Sequence, residues 1–230
     1  MRTAFLNLLM FRFILNLSEG RLIGATGFVG SAILKEALQR GHEVTAVTRD
    51  EEKRPSHAAL HSQQVNVYDL DQITRLVRGH DAVISAFNPG WSNPDIYHLQ
   101  LKGTRAIIDG VKKAGLKRLL FVGGSGSLEV KPGVQVVDLP GFPAQYKQGA
   151  LATREALNML RQETMLDWSV LSPSADLFPG ERTGRFRHGT DALLKDVNGE
   201  SRISLEDFAM AMIDEVEHPQ HVGRRFTVGY

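Results

Sequence analysis

Leu22-Ile23-Gly24-Ala25-Thr26-Gly27-Phe28-Val29-Gly30-Ser31-Ala32-Ile33-Leu34 decides the fold. Its glycines recur at every third position, directly after an apolar pair and directly before a stretch with helical periodicity. Gly24 suits a tight turn, Gly27 lets a backbone approach a bulky ligand, and Gly30 lets a helix pack closely on a sheet. The first amides of that helix have no partner within it, so they face outward and, with the helix dipole, favour an anion such as a pyrophosphate. A plain glycine-rich turn is the bland alternative. Strand, loop, helix and second strand following in order argue against it and for a dinucleotide site.

Working outward, short β-branched runs alternate with longer amphipathic ones, the pattern of repeated βα units around a parallel sheet. Strands are expected at Arg21–Ile23, Glu43–Thr48, Gln64–Val67, Ala82–Ala86, Arg118–Val122, Trp168–Leu171 and Arg225–Val228. Helices are expected at Ser31–Arg40, Gln72–Arg78, Ile96–Ala114, Gly149–Glu163 and Leu205–Glu217, with Gly41 and Gly115 where two of them stop. This predicts an α/β, Rossmann-type, doubly wound parallel sheet in a single domain over residues 21–230. Residues 1–20 stand before it as an extension. Three stretches break the pattern: Asn88–Asp95, Gly123–Gln145 and Ser172–Gly199, the last expected to form a small substrate-side lobe. Loops at the carboxyl ends of such strands line the ligand crevice.

Composition narrows the function. The 230 residues suffice for one domain with elaborations. Lys and Arg total 27 against 26 for Asp and Glu, so no nucleic-acid or membrane partner is expected. With no cysteine there are no disulfides, thiolate metal sites or cysteine nucleophiles. The apolar run Ala4–Leu17 is broken by Asn7, Arg12 and Asn16 and falls short of the roughly 18 residues of a membrane span. No cleavage site of the small-x-small kind follows it. A cytoplasmic protein, monomer or homodimer, is the expectation.

The second expected strand ends at Arg49 instead of an acid. A guanidinium there suits the 2′-phosphate of NADP, and Lys53 and Arg54 could add charge. Asp50 would hold the ribose hydroxyls of NAD if the strand ran one residue further. NADPH is therefore the preferred cofactor, with NAD left open.

Gly24-Ala25-Thr26-Gly27-Phe28-Val29-Gly30, together with Val44–Asp50, Val65–Leu70, Asp81–Ala86 and Leu119–Val130, resembles the atypical short-chain dehydrogenase/reductases. The most similar branch is the NAD(P)H-binding group that includes NADH-flavin reductases and biliverdin-reductase-B-like proteins, with NmrA-like relatives. The resemblance covers residues 22–230. It implies that Gly24, Ala25, Thr26, Gly27, Phe28 and Val29 hold the pyrophosphate. It further implies that Asp69 and Leu70 meet the adenine, that Ala86 and Phe87 flank the adenine ribose, and that Gly123 and Pro173 border the nicotinamide. Ser125 matches a serine kept beside the nicotinamide, with Ser127 a second candidate for that catalytic role. Residue chemistry alone reads Asp69 as a helix N-cap and Ser125 as a turn former, and the roles can coexist.

One departure bears on the reaction. No lysine stands four residues after Tyr68, Tyr97 or Tyr146, where Gln72, Leu101 and Ala150 are found. A tyrosine activated by a lysine one helical turn away is the usual proton donor to a reduced carbonyl. Lacking it, the chain is expected to pass hydride to a flavin, a quinone or a similar conjugated small molecule that delocalises the arriving charge. Trp91, Phe142 and Tyr146 are the expected wall of the acceptor site. The other reading is a non-catalytic NADP-binding sensor of the NmrA-like kind. Two histidine pairs, His57 with His61 and His218 with His221, lack a third ligand, and no metal is expected. Glu181 and Arg182 read as a structural pair.

Overall fold

A computed structural model describes residues 19–48 and 57–230. Its centre is an eight-stranded sheet in the order β10-β12-β8-β5-β4-β1-β2-β3. These strands are β1 (Glu19–Ile23), β2 (Glu43–Thr48), β3 (Leu60–Gln64), β4 (Ala82–Ser85), β5 (Arg118–Val122), β8 (Asp167–Ser172), β10 (Arg187–Gly189) and β12 (Arg224–Gly229). All pair in parallel except β10, which runs antiparallel to β12 at one edge. The expected doubly wound fold is what forms. β1 pairs with both β2 and β4, so the chain reverses its direction of winding there, and the crevice opens at the carboxyl ends of β1 and β4.

Helices α1 (Phe28–Gln39) and α5 (Leu205–Glu217) cover one face, burying Ile33, Leu34, Phe208 and Ile213 against Leu22, Ile84, Leu120 and Phe226. Helices α2 (Leu70–Val77), α3 (Ile96–Lys113) and α4 (Ala144–Arg161) cover the other, burying Ile73, Ile107 and Leu157 against Ile23, Val83, Phe121 and Val170. Adjacent residues such as Leu22 and Ile23 feed opposite cores, which is why the middle of β4 and β5, Ala82–Ile84 and Leu119–Val122, reads as a continuous apolar run.

Several boundaries move, each for a local reason. The third strand is Leu60–Gln64, earlier than the expected Gln64–Val67. It is an edge strand carrying His61, Gln63 and Gln64, while Val65 and Val67 enter the core from the loop behind it and displace the apolar signal. The helix expected from Gly149 begins at Ala144, capped by Pro143, so Gly149 lies inside it. Segment 172–199 supplies β9 (Asp176–Phe178), which pairs with β11 (Arg202–Ser204), and also the edge strand β10. Within 123–145 a 3₁₀ turn at Ser125–Ser127 precedes the hairpin of β6 (Glu129–Lys131) and β7 (Val134–Gln135). Among the described residues, no helix is long and apolar enough to cross a membrane.

β1 also starts two residues before the expected Arg21. Its first residue is tied to the sheet end by Glu19 N–H donating to Asp81 Oδ2 at 3.0 Å. Arg21 then occupies a half-buried position between β2 and β4, with its Nε unpartnered among the described residues and its pKa lowered, chiefly by burial. A buried donor without a partner costs about 1–3 kcal/mol, and a β-branched side chain suits the pleat. Arg21→Val is therefore expected to raise the melting temperature by about 2–4 °C, the effect of roughly 1 kcal/mol in a domain of this size. Thermal unfolding followed by circular dichroism measures it, and a lower melting temperature would show that the arginine stem packs better than valine.

Candidate functional site

Four loops meet at the carboxyl ends of β1, β4, β5 and β8. The first is the glycine loop. Gly24 has φ +83°, and a Cβ on it would lie 2.5 Å from Ala86 O, so the turn needs glycine for both conformation and space. At Gly30 a Cβ would fall on Gly24 O, well inside the 3.0 Å that real Cβ atoms keep. The loop closes on itself where Gly27 N–H donates to Gly24 O at 3.0 Å. Ala25 is buried, whereas Thr26, Gly27 and Phe28 are exposed and Val29 half-buried. No side chain caps α1 and no acid stands in its first turn. The amides of Phe28, Val29 and Gly30 therefore face outward with nothing from their own helix to satisfy them, which fits a pyrophosphate.

At the second loop, Asp69 caps α2. Its Oδ1 accepts from the amides of Asp71 and Gln72, both at 3.0 Å, and its Oδ2 from Gln72 Nε2 at 2.9 Å. The Gln72 amide bond, more than any other contact, holds its pKa below the ordinary carboxylate value. A carboxylate has about four acceptor sites, so one stays available to an adenine amine. Leu70 beside it is exposed. The Phe87 ring meets Tyr68 edge-on at 5.9 Å and fills the space over Gly103 of α3, so Phe87 joins the ends of β3 and β4 from below. Ala86 is half-buried against Gly24. Arg49, with Asp50, Lys53 and Arg54, lies outside the described residues.

The loop after β5 is built around the 3₁₀ turn. Gly123 N–H donates to Leu171 O at 2.8 Å, and a Cβ there would crowd Ser172 Oγ and Val170, both at 2.8 Å. Pro173 is half-buried just beyond Ser172. Ser125 is half-buried, and its hydroxyl has no hydrogen bond among the described residues. Ser127 differs. It is buried, donates from Oγ to Gly124 O at 3.2 Å and accepts from Arg225 Nη1 at 3.2 Å, so it serves structure and is not the second catalytic candidate. Arg225 of β12, itself buried, also pairs with Asp191 and thereby pins the turn to the segment after β10. Sequence reasoning missed Arg225 because its partners lie 34 and 98 residues away.

Trp91 and Tyr146 come together, their rings edge-on with centroids 5.5 Å apart, and both remain exposed. Phe142 makes no ring contact with them; it sits beneath the Lys147 ammonium, 5.7 Å from its centroid, and that ammonium donates to Val137 O. The structure thus assembles two of the three expected aromatics. The histidine pairs separate into other tasks: His57 accepts from Ala59 N–H, His61 pairs with Glu43, and His221 pairs with the buried Glu215 at 2.7 Å. His188 lies in β10 and stacks on His221, 6.0 Å away; burial and then that neighbour lower its pKa. Arg182 is paired with Glu36 of α1 and not with its neighbour Glu181. An apolar cavity lies at the opposite end of the sheet, walled by Leu22, Ile33, Ala37, Val44, Ile84 and Ile213, away from every loop of the site. Arg21, His42 and Glu43 also border it, but its inner surface is almost wholly apolar and offers few polar groups to orient a ligand.

The NAD(P)H-binding family model matches residues 24–219, from the first glycine of the loop to the end of α5. The chain belongs to that family. It is 40% identical over 213 residues to the uncharacterized protein YwnB of Bacillus subtilis, covering 90% of this chain and 96% of that one. Among solved structures, a candidate epimerase of Bacteroides thetaiotaomicron superposes with a TM-score of 0.88 at 49% identity, covering 94% of this chain and 98% of the other. A candidate NADH-flavin reductase of Streptococcus pneumoniae does so with a TM-score of 0.82 at 32% identity, covering 92% and 99%. Both cover more than nine tenths of this chain, so the fold is shared along nearly its whole length.

Proposed function

We propose that the protein is an NADPH-dependent reductase that delivers hydride to a flat conjugated acceptor, a flavin or a quinone. The observation that carries this reading is the exposed Trp91–Tyr146 pair, which α4 links to the Ser125 turn: Trp91 lies against Gly149, and the next residue, Ala150, lies against Gly126. A bound reduced nicotinamide supplies the hydride. The chain's part is to hold and screen. The α1 amides bind the pyrophosphate, Asp69 takes the adenine, Arg49 takes the 2′-phosphate, and Ser125 offers its free hydroxyl to the acceptor. Ala150, where a reductase of the tyrosine–lysine kind has its lysine, packs against Gly126 and leaves Tyr146 without an activating cation at that position. An acceptor that delocalises charge needs no such acid, and solvent can complete its protonation. The name of the Streptococcus pneumoniae relative supports a flavin.

Calorimetric titration with NADPH and NADH tests the cofactor, and absorbance at the reduced-nicotinamide band after adding FMN, riboflavin or menadione tests the reaction. Tighter NADPH binding with oxidation by at least one acceptor is expected. Binding without oxidation by any of them would replace the reductase with a redox sensor, and no binding would remove both. Ser125→Ala is expected to lower kcat about tenfold, the worth of roughly one hydrogen bond, with NADPH affinity unchanged. An unchanged kcat would leave Ser125 as a turn former only.

A further inference from the structure

Gly149 is the sixth residue of an 18-residue helix, a place where glycine weakens a helix relative to alanine. Its backbone does not call for it, since Gly149 is absent from the residues with positive φ. The reason lies in what fills the space of the missing side chain. A Cβ on Gly149 would lie 2.9 Å from Trp91 Cε3, closer still to Cζ3 of the same ring, and 2.9 Å from Ile96 Cδ1. The indole therefore rests directly on the α4 backbone.

That seat is next to the site. One residue on, Ala150 touches the 3₁₀ turn, for a Cβ on Gly126 would meet Ala150 Cβ at 3.0 Å, and Thr153 one turn later lies against Gly124. Although one side of the indole is covered, Trp91 is still 51% exposed, and Tyr146 stands edge-on against it at an interplanar angle of 85°. An exposed aromatic surface fixed on one side and braced on another offers π-stacking to a flat ring at little cost in ordering.

We propose that Gly149 is a specificity-determining residue. By carrying no side chain it seats Trp91 low on α4, and the outer indole surface becomes the platform on which the ring of a flat conjugated ligand stacks beside Ser125. This rests on the reading that the acceptor binds at the Ser125 turn. It adds that the width of the slot is set by a position that touches no ligand.

The test uses the full chain saturated with NADP⁺, so that no turnover occurs, titrated with riboflavin and separately with menadione. Gly149→Ala is expected to weaken ring binding at least tenfold while leaving NADPH affinity within twofold. It also shifts tryptophan emission to the red as the indole is lifted into solvent, a clear signal because the other tryptophan, Trp168, is buried. Trp91→Ala is expected to weaken the rings equally, and the double variant to be no worse than Trp91→Ala alone. Unaltered ring affinity in Gly149→Ala, additive losses in the double variant, or no binding of either ring by the unmodified protein would each overturn the proposal. Rings that bind in this way yet never oxidise NADPH would sink the reductase and keep the platform. Turnover whose KM is indifferent to Gly149→Ala would do the reverse.

Discussion

Gly30→Ala is expected to cost the protein its cofactor before it costs the fold. The added methyl falls on the Gly24 carbonyl and close to Ala25 Cα, both backbone atoms, so no side chain can give way. Either α1 backs away from the loop or Gly24 leaves its turn. Gly24 cannot move far, because Gly24 N–H is bonded to Val47 O at 3.2 Å and Ala86 lies against its other side. The helix start therefore shifts, carrying the Phe28, Val29 and Gly30 amides out of line with a pyrophosphate. Hydrogen bonds to charged groups are worth about 1.5–3 kcal/mol each, so losing two lowers NADPH affinity by roughly two to four orders of magnitude. Overpacking of this kind costs about 1–3 kcal/mol of stability, or roughly 2–4 °C in melting temperature per kcal/mol for a chain of this size. Calorimetric titration and thermal unfolding read the two effects separately. Gly79→Ala is the control. Gly79 has φ +79° with nothing near its Cβ position, so that variant is strained but uncrowded and should keep its affinity.

Glu36→Ala is expected to cost the fold about 3 kcal/mol. Glu36 is 4% exposed and holds two arginines: Arg40 Nε at 2.7 Å, and Arg182 through a two-pronged contact, Nε to Oε2 and Nη2 to Oε1, both at 2.8 Å. Arg40 continues to Asp214 at 2.7 Å and Glu217 at 2.6 Å, so one buried carboxylate links the glycine-loop helix to α5 and to the segment after β9. Removing one partner of a buried ion pair costs about 3–5 kcal/mol because the remaining charge stays desolvated. The lower end is expected here, since Arg182 is 46% exposed and Arg40 keeps two other acids.

Burial alone would raise the pKa of Glu36, but the bonds and charges of Arg182 and Arg40 outweigh it and hold the group below its ordinary 4.5. A depressed folded-state pKa adds stability that is fully present above the unfolded value and is lost as pH falls through the folded one. Chemical denaturation of the unmodified protein and of Glu36→Gln should therefore differ most near pH 7 and converge under acid, below pH 4.5. A gap that stays constant into acid would show that the carboxylate charge is not what Glu36 contributes.

The same residues show where sequence reasoning reaches. The glycine loop was legible because most of what calls for glycine is local: Gly24 has the positive φ of its own turn, and Gly27 and Gly30 answer to Gly24, three and six positions back, while only the crowding of Gly24 by Ala86 comes from a distance. The central strands β4 and β5 were legible because both of their faces are buried, which writes burial into the sequence as the apolar runs Ala82–Ile84 and Leu119–Val122. Asp69 was legible as a cap because its partners, Asp71 and Gln72, are two and three residues on. β3 was misplaced because an edge strand with one paired side needs little apolar character, and the valines that follow it belong to the core and not to the strand.

What the tertiary structure alone decided is who fills a space left by someone distant. Gly149 reads locally as the start of a helix; only the Trp91 ring, brought from the loop after β4, shows that it is an interior seat. Arg182 reads as the partner of Glu181, but the buried carboxylate it meets is Glu36, 146 residues away. Arg225 reads as one charge in a final strand, and the structure makes it the anchor of the Ser125 turn. The sequence by itself determined the winding of the sheet and the loop that receives a dinucleotide, because backbone conformation and burial periodicity are local properties of the chain. Ion-pair partners and the packing around Trp91 were left to the fold, because a charge or a bare Cβ position is satisfied by whichever group packing brings within a few ångströms, at any distance along the chain.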